Sequence, residues 1–438
     1  MKKRSFTVYS VLVTLLANSY LLIRGNPAWL LILIPLFLLI NMIAGTRTVK
    51  YSTWRLRWCC HGAVLLRIFQ SSTAFSVLFH LVLLFSGLMS GWQLFASAAL
   101  CFAVEAVVFW NGMICIFLTS GQLGLKLRVI AAVCGMIPVV NLIVLNKMLR
   151  VVFDEIQFES QKEQLNRDRA DQQLCKTKYP VLLVHGVFFR DSKFFNYWGR
   201  IPKELERNGA VVYYGMQHSA ASVADCAGEL RDRIQSIVQE TGCEKVNIIA
   251  HSKGGLDSRY AIANLGIEPY VASLTTINTP HRGCEFADFL LSKAPESLKE
   301  EVSNTYNTTL RKLGEEDPDF MAAVTDLTAS SCLVREQEMG MANGVFCQSV
   351  GSVMRKAAGG KFPLNFSYHL VKYFDGPNDG LVSEQSFQWG EKYTLLKTDG
   401  DRGISHGDMI DLNRENIPDF DVREFYVQLV HDLKNRGL

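Results

Sequence analysis

The chain has 438 residues and a formal net charge of +3, but this near-neutral total hides two halves of opposite charge. Residues 1–150 carry 13 Lys and Arg residues and a single acid, Glu105, whereas residues 151–438 carry 32 basic and 41 acidic residues. The basic charge of the first half lies between apolar runs rather than on one soluble face. The composition therefore argues against a nucleic-acid partner, and the length allows more than one folding unit.

Long uncharged intervals dominate residues 1–150. A bilayer core requires about 20 apolar residues per helix. We therefore predict a helical transmembrane region of about five spans, near residues 7–23, 28–45, 73–91, 95–118 and 129–146. The first run is followed at once by a second and lacks a small-residue cleavage site, so it is not expected to be a cleaved signal peptide.

Lys and Arg in the short connecting loops predict the orientation of these spans. Residues 1–4 and 47–67 are basic and would lie in the cytoplasm. Five crossings then place the C-terminal half of this multi-pass membrane protein outside the cytoplasm. Glu105 and His80 lie inside apolar segments, where ionisable groups often have a function, but helix packing explains them equally well and the sequence assigns neither a role.

Residues 151–178 form a charged juxtamembrane linker that is helical or loosely ordered, and a soluble domain is expected over residues 179–438. Short apolar runs of strand type alternate there with helical periodicity, as at residues 229–240. The strand-like runs cover residues 180–184, 210–214, 246–250 and 273–278. Largely apolar strands alternating with helices predict an α/β fold whose mostly parallel sheet is covered on both faces.

The sequence VNIIAHSKGG, at residues 246–255, carries the main functional prediction. It places a serine, Ser252, in a small-x-Ser-x-Gly turn between a strand and a helix, which is the pattern of a nucleophile elbow. The turn is so tight that the residues two before and two after the nucleophile must be small, and Ala250 and Gly254 satisfy this condition. A phosphate-binding loop is the alternative, but the strand–turn–helix context favours Ser252 as a nucleophile.

A serine nucleophile needs a histidine base oriented by a carboxylate, and in this fold the acid and then the base follow the serine along the chain. Four histidines follow Ser252. His281 is too close to the elbow, His369 lies in a strand-like SYHLVKYF segment, and His431 lies in an amphipathic terminal helix. His406, in the glycine-flanked loop GISHGD, is the predicted base.

The acid should follow a strand shortly before that loop. Asp379, in NDGLV, is the predicted acid, and it follows the strand-like HLVKYF segment. Asp375 is the alternative, although a position next to Gly-Pro is typical of a turn. Asp401 is too near His406 along the chain to lie on a separate strand end.

The oxyanion hole requires two backbone N–H groups directed at the tetrahedral oxygen. Lys253, directly after the nucleophile, is the first predicted donor. The second is Val187, in the HGVFF loop that follows the first strand of the domain. His185 of the same loop is expected to hold the loop rather than to act as a base.

These motifs together resemble the bacterial triacylglycerol lipases. The resemblance extends through LLVHGVFF, AHSKGG, INTPHRG, NDGLVS and SHGD, in that order, and covers most of residues 179–438. It implies an α/β-hydrolase fold with Ser252, Asp379 and His406 as the triad and Val187 and Lys253 as oxyanion donors. It also implies a helical cap or lid over the acyl pocket at about residues 285–345.

Some of these lipases bind a structural calcium beside the histidine loop, and Asp408 corresponds to one of its ligands. The family's other aspartate lies upstream of the catalytic acid, whereas residues 351–370 contain no acid. Because Ca²⁺ needs several oxygen ligands, we expect no required cofactor and regard Asp408 as a weak calcium candidate. The six cysteines after residue 151 show no CxxC spacing, so they predict isolated buried thiols, or disulfides in an oxidising space, rather than a zinc site.

The sequence therefore predicts a membrane-anchored serine hydrolase that cleaves carboxylic esters, with lipid esters as substrates and membrane lipids as its surroundings; it identifies no protein partner. A phospholipase or lipid acyltransferase with the same triad is the closest alternative. A non-catalytic membrane scaffold is the alternative from a different class, and the intact Ser–Asp–His order argues against it.

Overall fold

The structure is a computed structural model that describes residues 3–46, 53–135, 137, 139–187, 196–312, 318–340 and 344–438. The chain forms two compact units, Met1–Asp168 and Arg169–Leu438. Arg169, the first residue of the second unit, has a buried guanidinium that lies 2.6 Å from the carboxylate of Glu424.

The first unit is helical throughout its described residues. Its helices are α1 Lys3–Ala17, α2 Tyr20–Gly25, α3 Leu30–Ile43, α4 Trp54–Ser86, α5 Gly91–Thr119, α6 Gly124–Cys134 and α7 Val140–Asp168. Among these, α4 with 33 residues and α5 with 29 are long and apolar enough to cross a membrane. The helices within the first two predicted spans, α1 and α3, have 15 and 14 residues.

The second unit contains one parallel sheet with helices between its strands. Its elements are β1 Val181–Val184, α8 Ile201–Arg207, β2 Val212–Tyr214, α9 Val223–Thr241, β3 Val246–His251, α10 Lys253–Asn264, β4 Val271–Ile277, α11 Glu285–Lys293, α12 Glu296–Lys312, α13 Phe320–Thr325, α14 Ala329–Glu338, β5 Phe346–Ser352, α15 Leu364–Asp375, α16 Glu384–Phe387, β6 Lys392–Leu396 and α17 Val422–Asn435. The described strands have the order β2-β1-β3-β4-β5-β6, and every pair is parallel. This sheet confirms the predicted fold class.

Alternation along the central strands explains why both faces of the sheet are buried. Val181 and Leu183 of β1 belong to an apolar cluster with α8 and α17, whereas Leu182 and Val184 belong to a cluster with α9 and α10. Successive side chains of a strand point to opposite faces, so a continuous apolar run fills two cores. Four helices, α11 to α14, lie between β4 and β5 in the segment expected to form the cap.

The SYHLVKYF segment forms helix α15 rather than the predicted strand. Its buried residues are Leu364, Tyr368 and Val371, and spacings of four and three residues place them on one helical face. The β-branched and aromatic composition favoured a strand, but helical packing decided the outcome. The acid loop therefore follows a helix, and it returns to the end of β5 through a 2.9 Å hydrogen bond from Met354 N to Asn378 O.

Candidate active site

Ser252 occupies a strained turn between β3 and α10. Its φ of 55° and ψ of −129° lie in a region that residues other than glycine rarely adopt, and such strain is concentrated at functional sites. The turn is closely packed, because a Cβ atom on Gly254 would lie 2.3 Å from the carbonyl oxygen of His185, and one on Gly186 would lie 2.8 Å from Cβ of Ser252. Glycines are thus required where the loop after β1 approaches the nucleophile elbow.

His406 and Asp379 form a buried pair. His406 Nδ1 lies 2.6 Å from Asp379 Oδ2, with the histidine 7% exposed and the aspartate fully buried. The backbone N–H of His406 also donates to the carbonyl oxygen of Asp379, at 2.9 Å. The carboxylate fixes the tautomer that carries its proton on Nδ1, which leaves Nε2 free to accept a proton.

Three further contacts fix the Asp379 carboxylate. Oδ2 accepts a 2.6 Å hydrogen bond from the side-chain amide of Asn278, and Oδ1 accepts from the backbone N–H groups of Leu381 and Val382 at 2.9 and 2.8 Å. The residue is therefore buried with a donor to each oxygen, which fixes the orientation of the carboxylate toward His406.

His251 packs against the predicted base. The ring centroids of His251 and His406 are 4.4 Å apart, and since His251 directly precedes Ser252, this contact brings the His406 ring beside the nucleophile elbow. The Tyr197 hydroxyl lies 2.7 Å from Nδ1 of His251. Burial, reinforced by the neighbouring His406, lowers the pKa of His251 well below its usual value, so its ring is neutral at pH 7.

The two predicted oxyanion donors belong to different segments of the second unit. Lys253 is the first residue of α10 and Val187 follows β1, and both are buried. His185 holds the β1 loop, as predicted, since its Nε2 lies 2.9 Å from the carbonyl oxygen of Gln217 and the Gln217 amide donates back at 2.9 Å. Phe188 and Phe189 of the HGVFF motif lie outside the described residues.

The Lys253 side chain makes a buried ion pair that the sequence did not predict. Its Nζ lies 2.7 Å from Oδ1 of Asp257 and 3.2 Å from Sγ of Cys226. Burial raises the pKa of Asp257 to about 6 in spite of the opposing lysine. Burial alone would lower the pKa of Lys253, but Asp257 and Cys226 together outweigh it and raise that pKa. Both groups are therefore charged at pH 7, and the pair anchors the first turn of the helix behind the serine.

The histidines that were not predicted as the base, and the alternative acid Asp375, lie elsewhere in the second unit. His281 is buried between the guanidinium of Arg259, which donates to Nδ1 at 3.0 Å, and the hydroxyl of Thr276. His369 lies on α15 and His431 on α17. The alternative acid Asp375 accepts hydrogen bonds from the backbone N–H groups of residues 285 and 286, and so caps the start of α11.

The carboxylate of Asp408, the weak calcium candidate, accepts hydrogen bonds from protein donors. Its oxygens lie 2.6 and 3.0 Å from the two terminal nitrogens of Arg402, and Oδ2 also accepts from the backbone N–H and hydroxyl of Ser405. A cation at this carboxylate would face the Arg402 guanidinium. Over the described part of the chain, no cluster of three or more His, Cys, Asp or Glu residues could hold a metal ion.

Asn278, His251 and Asp257 are the site residues that the sequence did not predict. Asn278 had a local signal, because it ends β4 within INTPHRG and adopts a φ of 47°, in the left-handed region that asparagine tolerates. His251 adjoins the nucleophile but gave no sign of its contact with His406.

Comparison with known proteins links this arrangement to lipases. The family model for class 2 lipases matches residues 178–274. The chain is 40% identical over 168 residues to a triacylglycerol lipase of Pseudarthrobacter phenanthrenivorans, covering 35% of this chain and 51% of that protein. It is 30% identical over 297 residues to a triacylglycerol lipase of Vibrio cholerae, covering 61% of this chain and 92% of that protein. The chain thus spans about half the length of the Pseudarthrobacter relative and nearly all of the Vibrio one.

Solved structures of lipases are also similar. The mature Bacillus licheniformis lipase is 23% identical with a TM-score of 0.44, over 58% of this chain and 92% of that one. The Staphylococcus hyicus lipase is 17% identical with a TM-score of 0.47, over 60% of this chain and 97% of that one.

Proposed function

This chain belongs to the triacylglycerol lipase family, and from that premise we propose that it hydrolyses carboxylic esters with Ser252 as the nucleophile. Family membership confirms the resemblance that the sequence motifs indicated. The observation that carries the proposal is the buried 2.6 Å contact between His406 and Asp379. The His406 ring packs against His251, the residue directly before the strained Ser252 at the N-terminus of α10.

The chemistry proceeds in two acyl-transfer steps. His406 Nε2 takes the proton of Ser252 Oγ as that oxygen attacks the ester carbonyl carbon. The tetrahedral intermediate collapses, the alcohol leaves with the proton from His406, and an acyl-enzyme remains on Ser252. Water then gives its proton to His406 and attacks the acyl carbon, which releases the acid and returns the proton to Ser252. The Asp379 carboxylate stabilises the imidazolium in both steps.

The backbone N–H groups of Lys253 and Val187 would bind the developing oxyanion. Donors of this type stabilise charge that appears only in the transition state, and the N-terminus of α10 adds a favourable dipole. The Lys253 ammonium is held by Asp257, so it is the backbone of this residue, not its side chain, that serves the reaction.

Exposed apolar side chains favour lipid esters as the substrates. Phe366 and Tyr373 of α15 are 71% and 83% exposed, and they are separated by about two helical turns on one face. Phe289 of α11 and Leu298 of α12 are also exposed. Apolar patches of this kind mark lipid or protein contact surfaces, and helices α11 to α14 supply the proposed cap.

Residues 1–150 would anchor the enzyme in a membrane. Helices α4 and α5 have the length and composition of membrane spans. The sequence pattern of apolar runs and basic loops supports the additional spans and the extracytoplasmic position of the catalytic unit. Retention of the chain in membrane pellets after alkaline carbonate extraction tests the anchor, and protease protection of residues 169–438 in intact cells tests the orientation. Release of the protein from the membrane by carbonate would contradict the proposed membrane anchor.

Labelling with a fluorophosphonate probe tests the nucleophile directly. The full-length protein should react, Ser252→Ala should not, and His406→Ala and Asp379→Asn should react far more slowly, with normal expression of all four. The neighbouring Ser258, whose hydroxyl donates to Gly254 O, supplies a control, since Ser258→Ala should retain labelling. A folded parent that stays unlabelled in detergent would favour the scaffold alternative. Product analysis with competing alcohols separates hydrolysis, which yields free acid, from acyl transfer, which yields a new ester.

A further inference from the structure

The helical unit contains a large apolar cavity that the proposed ester hydrolysis does not use. It has a volume of about 740 Å³ and is bounded by α4, α5 and the segment from α6 to α7. This volume lies in the range of small-molecule sites. The lining extends along α4 from Phe69 to Leu84, which is about 22 Å at 1.5 Å per residue. Its dimensions are those of a site for one long hydrocarbon chain.

A single carboxylate faces this cavity. Glu105, the only acid in residues 1–150, lines the cavity and is 5% exposed. Its Oε1 accepts a 2.5 Å hydrogen bond from the Ser72 hydroxyl, whereas Oε2 is buried and makes no hydrogen bond among the described residues. The Thr73 hydroxyl, which lines the same cavity close to Glu105, is likewise buried without a hydrogen bond. Leaving such polar atoms buried and unpaired is costly, so the cavity wall presents an unsatisfied acceptor beside an unsatisfied hydroxyl.

The histidine in the cavity lining does not supply a donor to that oxygen. His80 lines the same cavity, but its Nδ1 lies 2.9 Å from the backbone oxygen of Ser76 and its Nε2 lies 3.1 Å from the Ser97 hydroxyl. Most of the remaining lining is aliphatic or aromatic, with Leu81, Phe102 and Leu145 as examples. Ordered water needs two to four polar partners, so water does not readily fill a cavity of this composition.

We propose that this cavity binds an amphiphile whose hydrocarbon chain lies along α4 and α5 and whose head group donates a hydrogen bond to Oε2 of Glu105. Alcohol and ammonium heads share this chemistry. A fatty acid anion and a phosphatidylcholine head both lack an N–H or O–H group to donate. The site is therefore distinct from nonspecific contact with bilayer lipid.

Photolabelling of the full-length protein in phosphatidylcholine nanodiscs tests this site. A diazirine-bearing hexadecanol should label peptides that line the cavity, within residues 69–84 and 94–113. Unlabelled hexadecanol should compete at least about tenfold better than hexadecyl methyl ether, which has the same chain without a donor. Hexadecylammonium is the second competitor, and whichever of the two donors competes more strongly identifies the head group.

Two variants separate the carboxylate from the cavity. Glu105→Leu should abolish the preference for the alcohol over the ether while leaving the protein folded, because it replaces a half-satisfied buried acid with an apolar side chain. Ala98→Phe should fill the cavity and block labelling by either ligand. Peptide mapping excludes labelling of residues 169–438, which would report on the proposed active site instead.

Three results would overturn the proposal. The first is equal competition by alcohol and ether in the parent protein. The second is labelling that persists in Ala98→Phe. The third is labelling concentrated on Phe85 and Leu118, which are 85% and 80% exposed and would contact bulk lipid.

Discussion

Asn278 donates a 2.6 Å hydrogen bond to Oδ2 of Asp379, the same oxygen that contacts the His406 ring. The amide thus holds the carboxylate that orients the proposed base, from a position 101 residues earlier in the chain. The same amide nitrogen also contacts the hydroxyl of Ser352, at 2.7 Å.

Replacing this amide should impair turnover more than substrate binding. Asn278→Ala removes a charge-assisted hydrogen bond, and misorientation of the histidine should lower kcat about tenfold or more with little change in KM. Steady-state kinetics on a soluble p-nitrophenyl ester measure this split. Ser352→Ala, which removes only the second contact of the amide, is the control, and an equal loss in both variants would contradict a positioning role for Asn278.

Removing one partner of the buried ion pair of Lys253 and Asp257 should destabilise the fold more than replacing both partners with apolar residues. Asp257→Asn leaves a buried ammonium without its charge partner, which typically costs about 3–5 kcal/mol, and the apparent Tm of the full chain should fall by roughly 10 °C. The double variant Lys253→Met, Asp257→Leu should recover most of this loss. Thermal unfolding in detergent measures all three proteins, and a double variant as unstable as Asp257→Asn would exclude this explanation.

Two buried neutral histidines should make the fold sensitive to acid. Burial lowers the pKa of both His251 and His281 well below 6.5. Below pH 6.5 the unfolded chain therefore binds protons that the folded chain does not, and the free energy of unfolding decreases as the pH decreases. Each group contributes about 1.4 kcal/mol per pH unit. Burial raises the pKa of Asp257 to about 6, so below that pH the folded chain binds a proton at Asp257 that the unfolded chain does not. This proton stabilises the folded chain as the pH decreases and offsets the contribution of one of the two histidines.

His281→Gln isolates one of these contributions away from the proposed triad. The loss of apparent Tm between pH 7 and 5.5 should be smaller in this variant than in the parent by about 2–6 °C. Thermal unfolding at the two pH values measures the difference. Identical acid sensitivity in the two proteins would mean that His281 is not the group that titrates.

The nucleophile could be predicted because its motif consists of consecutive residues, whereas the contacts that support it join residues far apart in the chain. The elbow is defined by consecutive residues, since a buried apolar strand, small residues at Ala250 and Gly254 and a following helix all lie within VNIIAHSKGG. By contrast, the contacts of His251 with Tyr197 and His406 join residues 54 and 155 positions away along the chain, and no local pattern specifies them.

The same distinction explains one segment where the structure departs from expectation. In SYHLVKYF, intrinsic strand preference competed with helical packing, and packing prevailed because Tyr368 and Val371 share a buried face with Leu364 at the start of the same helix. In the first unit, the helix Leu30–Ile43 lies within the apolar run that predicted a span at residues 28–45. Composition marks apolar runs but does not locate helix ends.

The exposed face of α15 should matter for emulsified substrates and not for soluble ones. Phe366→Ser with Tyr373→Ser removes two large exposed rings, and the loss of apolar area should weaken adsorption to a lipid interface. Activity on emulsified triacylglycerol should drop several-fold while activity on a soluble short-chain ester remains. Val211→Ser removes an apolar side chain that is 58% exposed beside the edge strand β2 and should leave both activities intact. Equal losses on the two substrates would instead point to damage at the catalytic centre.

The Arg402–Asp408 pair should make the histidine loop independent of calcium. The guanidinium contacts both oxygens of Asp408, which also binds Ser405 directly before His406, so a protein cation neutralises the carboxylate where the family resemblance suggested a metal. Treatment of the full-length enzyme with EGTA should leave activity and Tm unchanged. Arg402→Gln should lower the Tm, because it leaves a buried acid without its charge partner, and added calcium should not restore it. Loss of activity in EGTA that calcium reverses would show instead that a metal ion stabilises this loop.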